Sequence, residues 1–211
     1  MNSPQINNFD ALAGIYDTLA KVVFGRSIKD AQCVMLSELS GANTILIIGG
    51  GTGWLLDEVL KINQTSQIWY VDASSNMVSQ ARRRCERLNS KQVKFVQGTE
   101  NELPDQPTFD AVIANFYFDM FSPASLQVVM KRIKESMEPG AVLIATDFTK
   151  SKRLWHALLL GTMYRFFRIA SKLEAGTLPP WQSLLVDSGF KEESAHKFYD
   201  GFIEARKYVL R

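Results

Sequence analysis

Cysteine and histidine are nearly absent from this chain, with two of each in 211 residues. Cys33 and Cys85 stand far apart and form no C-x-x-C pair. No disulfide framework is expected, and two free thiols in a reducing cytoplasm are. His156 and His196 have no cysteine or histidine partner at ligand spacing, which argues against a structural metal site. An excess of one charge is also missing: 24 basic against 22 acidic residues leave a net charge of +2, too little to imply nucleic acid. The most apolar run, 154–167, contains His156 and Arg165 and is too short to span a bilayer. The opening MNSPQINNFD has no basic stretch followed by an apolar core, so a signal peptide is not expected. Neither nucleic acid nor membrane is therefore an expected partner. The length suits one α/β domain in the cytoplasm.

What the chain does have is a glycine-rich loop between a strand and a helix. Thr44 to Ile48 are β-branched or leucine, which predicts a strand buried on both faces. Gly49, Gly50, Gly51 and Gly53 follow, and WLLDEVLKI then puts Leu55, Leu56, Val59 and Leu60 on one helical side. Strand, glycine loop and helix open a βαβ unit in which backbone N–H groups face a ligand. A dinucleotide fingerprint would need a small residue at Trp54 or Leu56, and a P-loop would need Gly-Lys-Ser/Thr at the helix start. Neither pattern is present. A second predicted strand, Ile68 to Val71, ends at Asp72, placed beyond the carboxyl end of a sheet strand where ligands sit. Its carboxylate can accept two hydrogen bonds at once, as vicinal ribose hydroxyls require.

The rest of the chain keeps the same rhythm. Phe9 to Leu19 and Ser27 to Leu39 read as helices, with Ser27 and Asp30 as a capping box. Val93 to Val96 and Phe109 to Ala114 read as strands, the segment from Ser122 as a helix with Val128, Val129, Ile133 and Met137 as its buried stripe, stopped by Glu138-Pro139-Gly140, and Ala141 to Ala145 as a fifth strand. A last helix lies between Pro179 or Pro180 and Gly189, and a hairpin turns at Asp200-Gly201. The cluster Arg82, Arg83, Arg84 and Arg87 reads as a solvated helix face.

The G-x-G-x-G of Gly49, Gly51 and Gly53, with Asp72 at the second strand end, resembles motifs I and II of the class I S-adenosylmethionine-dependent methyltransferases. The resemblance runs from about Phe9 to the C-terminus. It implies a doubly wound, mostly parallel, Rossmann-like seven-stranded sheet with N-terminal lid helices and a C-terminal antiparallel hairpin. It divides one domain into N-terminal helices (1–42), a cofactor-binding core (43–149), an inserted helical cap (150–178), and a last helix with hairpin (179–211). It further implies S-adenosylmethionine as cofactor and a small-molecule methyl acceptor. Gly49, Gly50, Gly51, Thr52 and Gly53 would hold the methionine end, with Tyr16 touching it from the lid. Asp72 would take the ribose, with Ala73 and Met77 beside it. Thr99 and Glu100 would bracket the adenine, although the family usually has Asp where Thr99 stands. Asn115 and Phe116 would line the reacting centre.

Asn115 to Phe118 read N-F-Y-F, without the prolines of the N-P-P-[FY] motif tied to amino-group methylation. Phe116, Tyr117, Phe118 and Phe121 instead suggest an aromatic wall for a small apolar or aromatic acceptor. For a hydroxyl acceptor, Tyr117, Asp119 and His156 are the candidate bases. The cap would build the acceptor pocket or a dimer contact. In this family an acidic residue often stands two before the first glycine, where this chain has Ile47. Two other readings stand beside this one. A nicotinamide-dependent oxidoreductase conflicts with the glycine spacing, the terminal hairpin and the absence of a Tyr-x-x-x-Lys pair. A catalytically silent cofactor-binding protein is compatible with Ile47 and Thr99.

Overall fold

The computed structural model describes residues 23–88, 91–151, 153, 155, 156, 159–161 and 177–211. The predicted lid helix around Tyr16, and Tyr164, Phe166 and Phe167 of the predicted cap, lie outside the described residues. Within them, α1 (Ser27–Cys33) leads through a 3-10 turn to β1 (Thr44–Ile48), α2 (Trp54–Ile62), β2 (Gln67–Asp72) and α3 (Ser75–Arg87). There follow β3 (Val93–Gln97), β4 (Phe109–Asn115), α4 (Pro123–Glu135), β5 (Met137–Phe148), α5 (Trp181–Asp187), β6 (Phe190–Phe198) and β7 (Ile203–Leu210).

The seven strands form one sheet in the order β3-β2-β1-β4-β5-β7-β6. The first five are parallel, and β7 pairs antiparallel with both β5 and β6. The alternation along β1 shows why the sheet is buried twice. Leu46 and Ile48 enter a core shared with α4 and α5, while Ile45 and Ile47 enter the opposite core with α2 and α3. A third cluster, around Phe24, Phe148, Phe202 and Ile203, closes the side near the hairpin. Strand order reverses between β1 and β4, so the ligand crevice of an open sheet is expected there.

Local chemistry sets the element ends. Ser74 caps α3 by accepting from the Met77 N–H at 3.2 Å. Ser122 caps α4 by accepting from Ser125 N–H, with Pro123 in the first turn, where its missing N–H costs nothing. The expected Ser27–Asp30 capping box does not form: Ser27 already lies inside α1, and the cap is Arg26, without a side-chain bond. β5 is longer than Ala141–Ala145. It starts at Met137, and a register shift opposite Phe109 and Ala111 absorbs Pro139 and Gly140 as an irregularity. The helix before it has already ended at Ser136, whose hydroxyl donates to Ile133 O.

Two buried polar nodes tie this frame together. Asn63, 2% exposed, donates to Leu39 O and Ala42 O at 2.8 and 2.7 Å. Its Oδ1 accepts from the N–H groups of Thr65 and Ser66. This one carboxamide clips the entry to β1 onto the turn before β2. The second node is Asp147 on β5. It is fully buried and accepts from the N–H groups of Phe118, Asp119 and Phe148 at 2.9, 3.1 and 2.8 Å. Burial pushes the Asp119 carboxyl up to about 7. Burial raises Asp147 too, and the neighbouring Asp119 adds to the rise.

Both nodes generate expectations. Asn63→Ala strands two carbonyls and two N–H groups, and should cost about 2–4 kcal/mol of unfolding free energy in urea titration. A loss below about 1 kcal/mol would show that water replaces the clip. The acid pair has a defined sign. An acid raised on folding contributes stability that is full below its unfolded pKa and disappears as pH rises through its folded value. Stability should therefore fall between the ordinary carboxylate range near 3.8 and about 7, and Asp119→Asn should flatten that fall. A wild-type profile flat across this window would contradict it.

Candidate functional site

A small open cleft lies where the strand order reverses. Its walls are the carboxyl ends of β1 (Ile47, Ile48) and β4 (Ile113, Asn115), the loop residues Gly49 and Gly50, Leu55 of α2 and Gln32 of α1. The glycines are dictated by contacts. Gly49 has φ of +66°, and a Cβ there would lie 2.6 Å from Tyr117 Cδ2. Gly53 has φ of +82°, and its Cβ would lie 2.7 Å from the Ala81 backbone, so a side chain would push α2 off α3.

The loop's hydrogen bonds depart from the expectation of N–H groups aimed at a ligand. Gly49 and Gly50 N–H donate to Val71 O at 2.9 and 3.3 Å. Gly51 N–H donates to Asp72 Oδ2 at 2.8 Å. The Tyr70 hydroxyl donates back to Gly51 O at 2.7 Å. Asp72 thus braces the loop from the end of β2, and its other oxygen accepts from Ser74 N–H at 2.9 Å. Burial raises its pKa, opposed by these two N–H groups. A carboxylate has about four lone-pair positions, so two remain for a ligand. Thr52 and Met77 are half-buried nearby, and Ala73 is exposed.

Thr99 and Glu100 are engaged with neighbours. The Thr99 hydroxyl accepts from Asn101 N–H and meets Glu102 Oε2, forming a capping box for the short 3-10 turn. Glu100 is 8% exposed and accepts the Tyr117 hydroxyl at 2.8 Å. That pairing was not legible from sequence, since the two residues lie on different loops and meet only when β3 and β4 are placed. Burial, and then the Glu100 charge, push the Tyr117 phenol far above its ordinary range.

Asn115 and Phe116 stand where β4 ends. Asn115 is buried, and neither its Oδ1 nor its Nδ2 has a hydrogen-bond partner among the described residues. Phe116 has φ of +51°, a conformation non-glycine residues adopt at a cost and most often at functional positions. Its N–H is held by Thr146 O at 2.7 Å and its ring packs 5.0 Å from Phe148. Of the predicted aromatic wall, Tyr117 and Phe118 are core, Phe121 lies edge-on to Tyr117, and only Phe116 leans toward the third cluster. His156 stacks on Phe202 of that cluster, with ring centroids 4.6 Å apart. Its Nδ1 contacts Ser151 Oγ at 2.6 Å, while Nε2 is buried without a partner among the described residues. Among the described residues no group of three or more metal-ligating side chains occurs, and no helix is long and apolar enough to cross a membrane. Gln32 was not indicated by sequence. A polar residue between Ala31 and Cys33 carries no signal until α1 is docked.

The family described as "Methyltransferase domain" matches residues 45–140, from β1 to the start of β5. Carboxy-S-adenosyl-L-methionine synthase of Nautilia profundicola is 24% identical over 203 residues, covering 87% of this chain and 86% of that protein. Malonyl-(acyl-carrier protein) O-methyltransferase of Priestia megaterium is 30% identical over 104 residues, 49% of this chain but 36% of that protein. The crystal structure of the N-methyltransferase NodS from Bradyrhizobium japonicum WM9, in complex with S-adenosyl-L-homocysteine, superposes with a TM-score of 0.74. Identity there is 12% with 99% of both chains covered, so that likeness speaks for the fold. Sheet order, glycine loop, the domain match over residues 45–140 and the relatives together support a class I S-adenosylmethionine-dependent methyltransferase.

Proposed function

We propose that the cleft between β1 and β4 takes the methionine end of S-adenosylmethionine and that the methyl group passes to a small, apolar or aromatic acceptor. The observation that carries the placement is Asn115, whose carboxamide is buried at the cleft wall with both polar atoms unpartnered. Buried polar groups are otherwise almost always satisfied, so an orphaned amide facing a cleft fits a polar ligand. Asp72 keeps lone pairs for the ribose hydroxyls at the end of β2. The loop of Thr99 and Glu100 flanks the adenine, and with both side chains engaged it offers backbone and shape. Ala73 and Met77 lie at the start of α3 on the same rim.

When bound, the cofactor supplies a methyl group on a positively charged sulfur that is already activated for displacement. The chain's task is then alignment and exclusion of water. Phe116, fixed by its N–H to Thr146 O, directs its ring from the end of β4 onto Phe148. Phe24, Phe148 and Phe202 are themselves buried, and Phe116 is the half-buried ring packed against their cluster. That ring at the end of β4 supports an apolar or aromatic acceptor. Tyr117 holds its proton and its hydroxyl donates to Glu100, which leaves it shaping the glycine loop. Asp119 lies in the buried acid pair with Asp147. His156 suits a base better: burial, and then Arg153, lower its pKa, so the ring is neutral at pH 7. An Nδ1–H donated to Ser151 leaves Nε2 as a proton acceptor. The nicotinamide alternative loses support from the loop, because three N–H groups that would cradle a diphosphate turn inward to Val71 and Asp72.

Thermal shift in the presence of S-adenosylmethionine, S-adenosylhomocysteine, NAD and NADP tests the placement. A ligand at 100 times its Kd should add about 2.7 kcal/mol to stability by mass action. The midpoint should rise with the two adenosyl-sulfur compounds alone, and a rise with NAD or NADP alone would contradict the reading. For the acceptor, methyl transfer to a panel of phenols, fatty acids and small polar amines should favour the apolar members. A preference for the polar amines would overturn that assignment.

A further inference from the structure

The cleft beside the glycine loop has an unusual polar inventory. Ile47, Ile48, Ile113 and Leu55 give it apolar walls. Among the described residues lining it, the two side chains that bring polar atoms are Gln32 and Asn115, both carboxamides, and none is titratable. Gln32 is carried there by α1, whose position over the sheet is marked by the preceding residue: Ala31 is 1% exposed and its carbonyl accepts from Thr146 Oγ1 at 3.4 Å. Gln32 itself is half-buried. Asn115 faces the same space from β4 with both polar atoms orphaned.

A carboxamide presents one acceptor and two donors. Two of them in one cleft match a group that displays an ammonium and a carboxylate together. A phosphate would satisfy their N–H groups and leave both carbonyls unpaired. An aliphatic group would leave every polar atom of Asn115 stranded, at the full desolvation cost. The loop's backbone points the same way, since the N–H groups of Gly49 and Gly50 are bound to Val71 O.

We infer that Gln32 and Asn115 form a neutral carboxamide clamp for the α-amino-acid end of the cofactor, doing at this site what a carboxylate at position 47 would otherwise do. The inference rests on the cofactor placement proposed above. The clamp positions the cofactor through hydrogen bonds alone, without a side-chain charge. Binding therefore depends on the shape of the two amides, and an ionic-strength increase leaves it nearly unchanged.

Isothermal titration with two probes separates the possibilities: S-adenosylhomocysteine, which has the amino-acid end, and 5′-methylthioadenosine, which lacks it. Gln32→Ala and Asn115→Leu should each weaken S-adenosylhomocysteine by about 10- to 100-fold, the range for a hydrogen bond to a charged group. Binding of 5′-methylthioadenosine should stay within about threefold of wild type, which also shows that each variant is folded. Because the Asn115 amide has no partner to lose, Asn115→Leu should leave the ligand-free melting temperature unchanged or higher. Equal weakening of both probes, or unchanged affinity for S-adenosylhomocysteine, would overturn the clamp. Wild-type protein that binds 5′-methylthioadenosine but gains nothing from the amino-acid end would also overturn it. Wild-type protein that binds neither probe would overturn the cofactor placement itself, and the clamp with it.

Discussion

The site depends on how the glycine loop is fastened to the end of β2. Gly49 and Gly50 donate to the Val71 carbonyl, and Gly51 donates to the Asp72 carboxylate. These bonds pull the loop back over the neighbouring strand, which keeps the space above β1 and β4 open. Tyr70 from below and Tyr117 from the side fill the volume that side chains on Gly50 and Gly49 would need. The glycines are thus required by the protein's own packing, and the ligand crevice is a consequence of that packing. It also explains why the loop offers little to a diphosphate: the donors of Gly49, Gly50 and Gly51 are already in use.

The parts of the fold that were legible from sequence are those fixed by local chemistry. β-branched residues from Thr44 to Ile48 ended by glycine, an amphipathic WLLDEVLKI, and Asp72 closing a short apolar strand all appear as expected. The terminal hairpin appears as well, although its connection is longer than the predicted two residues. Tyr199 and Asp200 join Gly201 at positive φ, and β7 begins only at Ile203. The order of strands was a different matter. Nothing in the residues of β4 says that it lies beside β1, and only the family resemblance supplied that expectation. The capping box at Ser27 failed for a simple reason, since pattern alone does not say whether a serine stands before a helix or one residue inside it.

Site residues divide along the same line. Asp72 and Asn115 could be placed at strand ends because each closes a strand that reads clearly. Tyr117 was open as a base until its hydroxyl was seen to donate to Glu100, a contact across 17 positions. Thr99 was expected to face the adenine, but an adjacent carboxylate, Glu102, engages its hydroxyl in a capping box. Gln32 had no sequence signature at all. Long-range placement, not residue type, decides which polar groups share a cleft, and that is why the second carboxamide emerged only with the fold.

A crystal structure of the full chain grown with S-adenosylhomocysteine tests the central claim most directly. The account predicts ribose hydroxyls within about 2.7–3.2 Å of the free lone pairs of Asp72, with the sulfur near the end of β4 and the amino-acid end between Gly49 and Asn115. Ligand bound away from the β1/β4 switch point would contradict it. So would ligand seated there with Asn115 still unpaired.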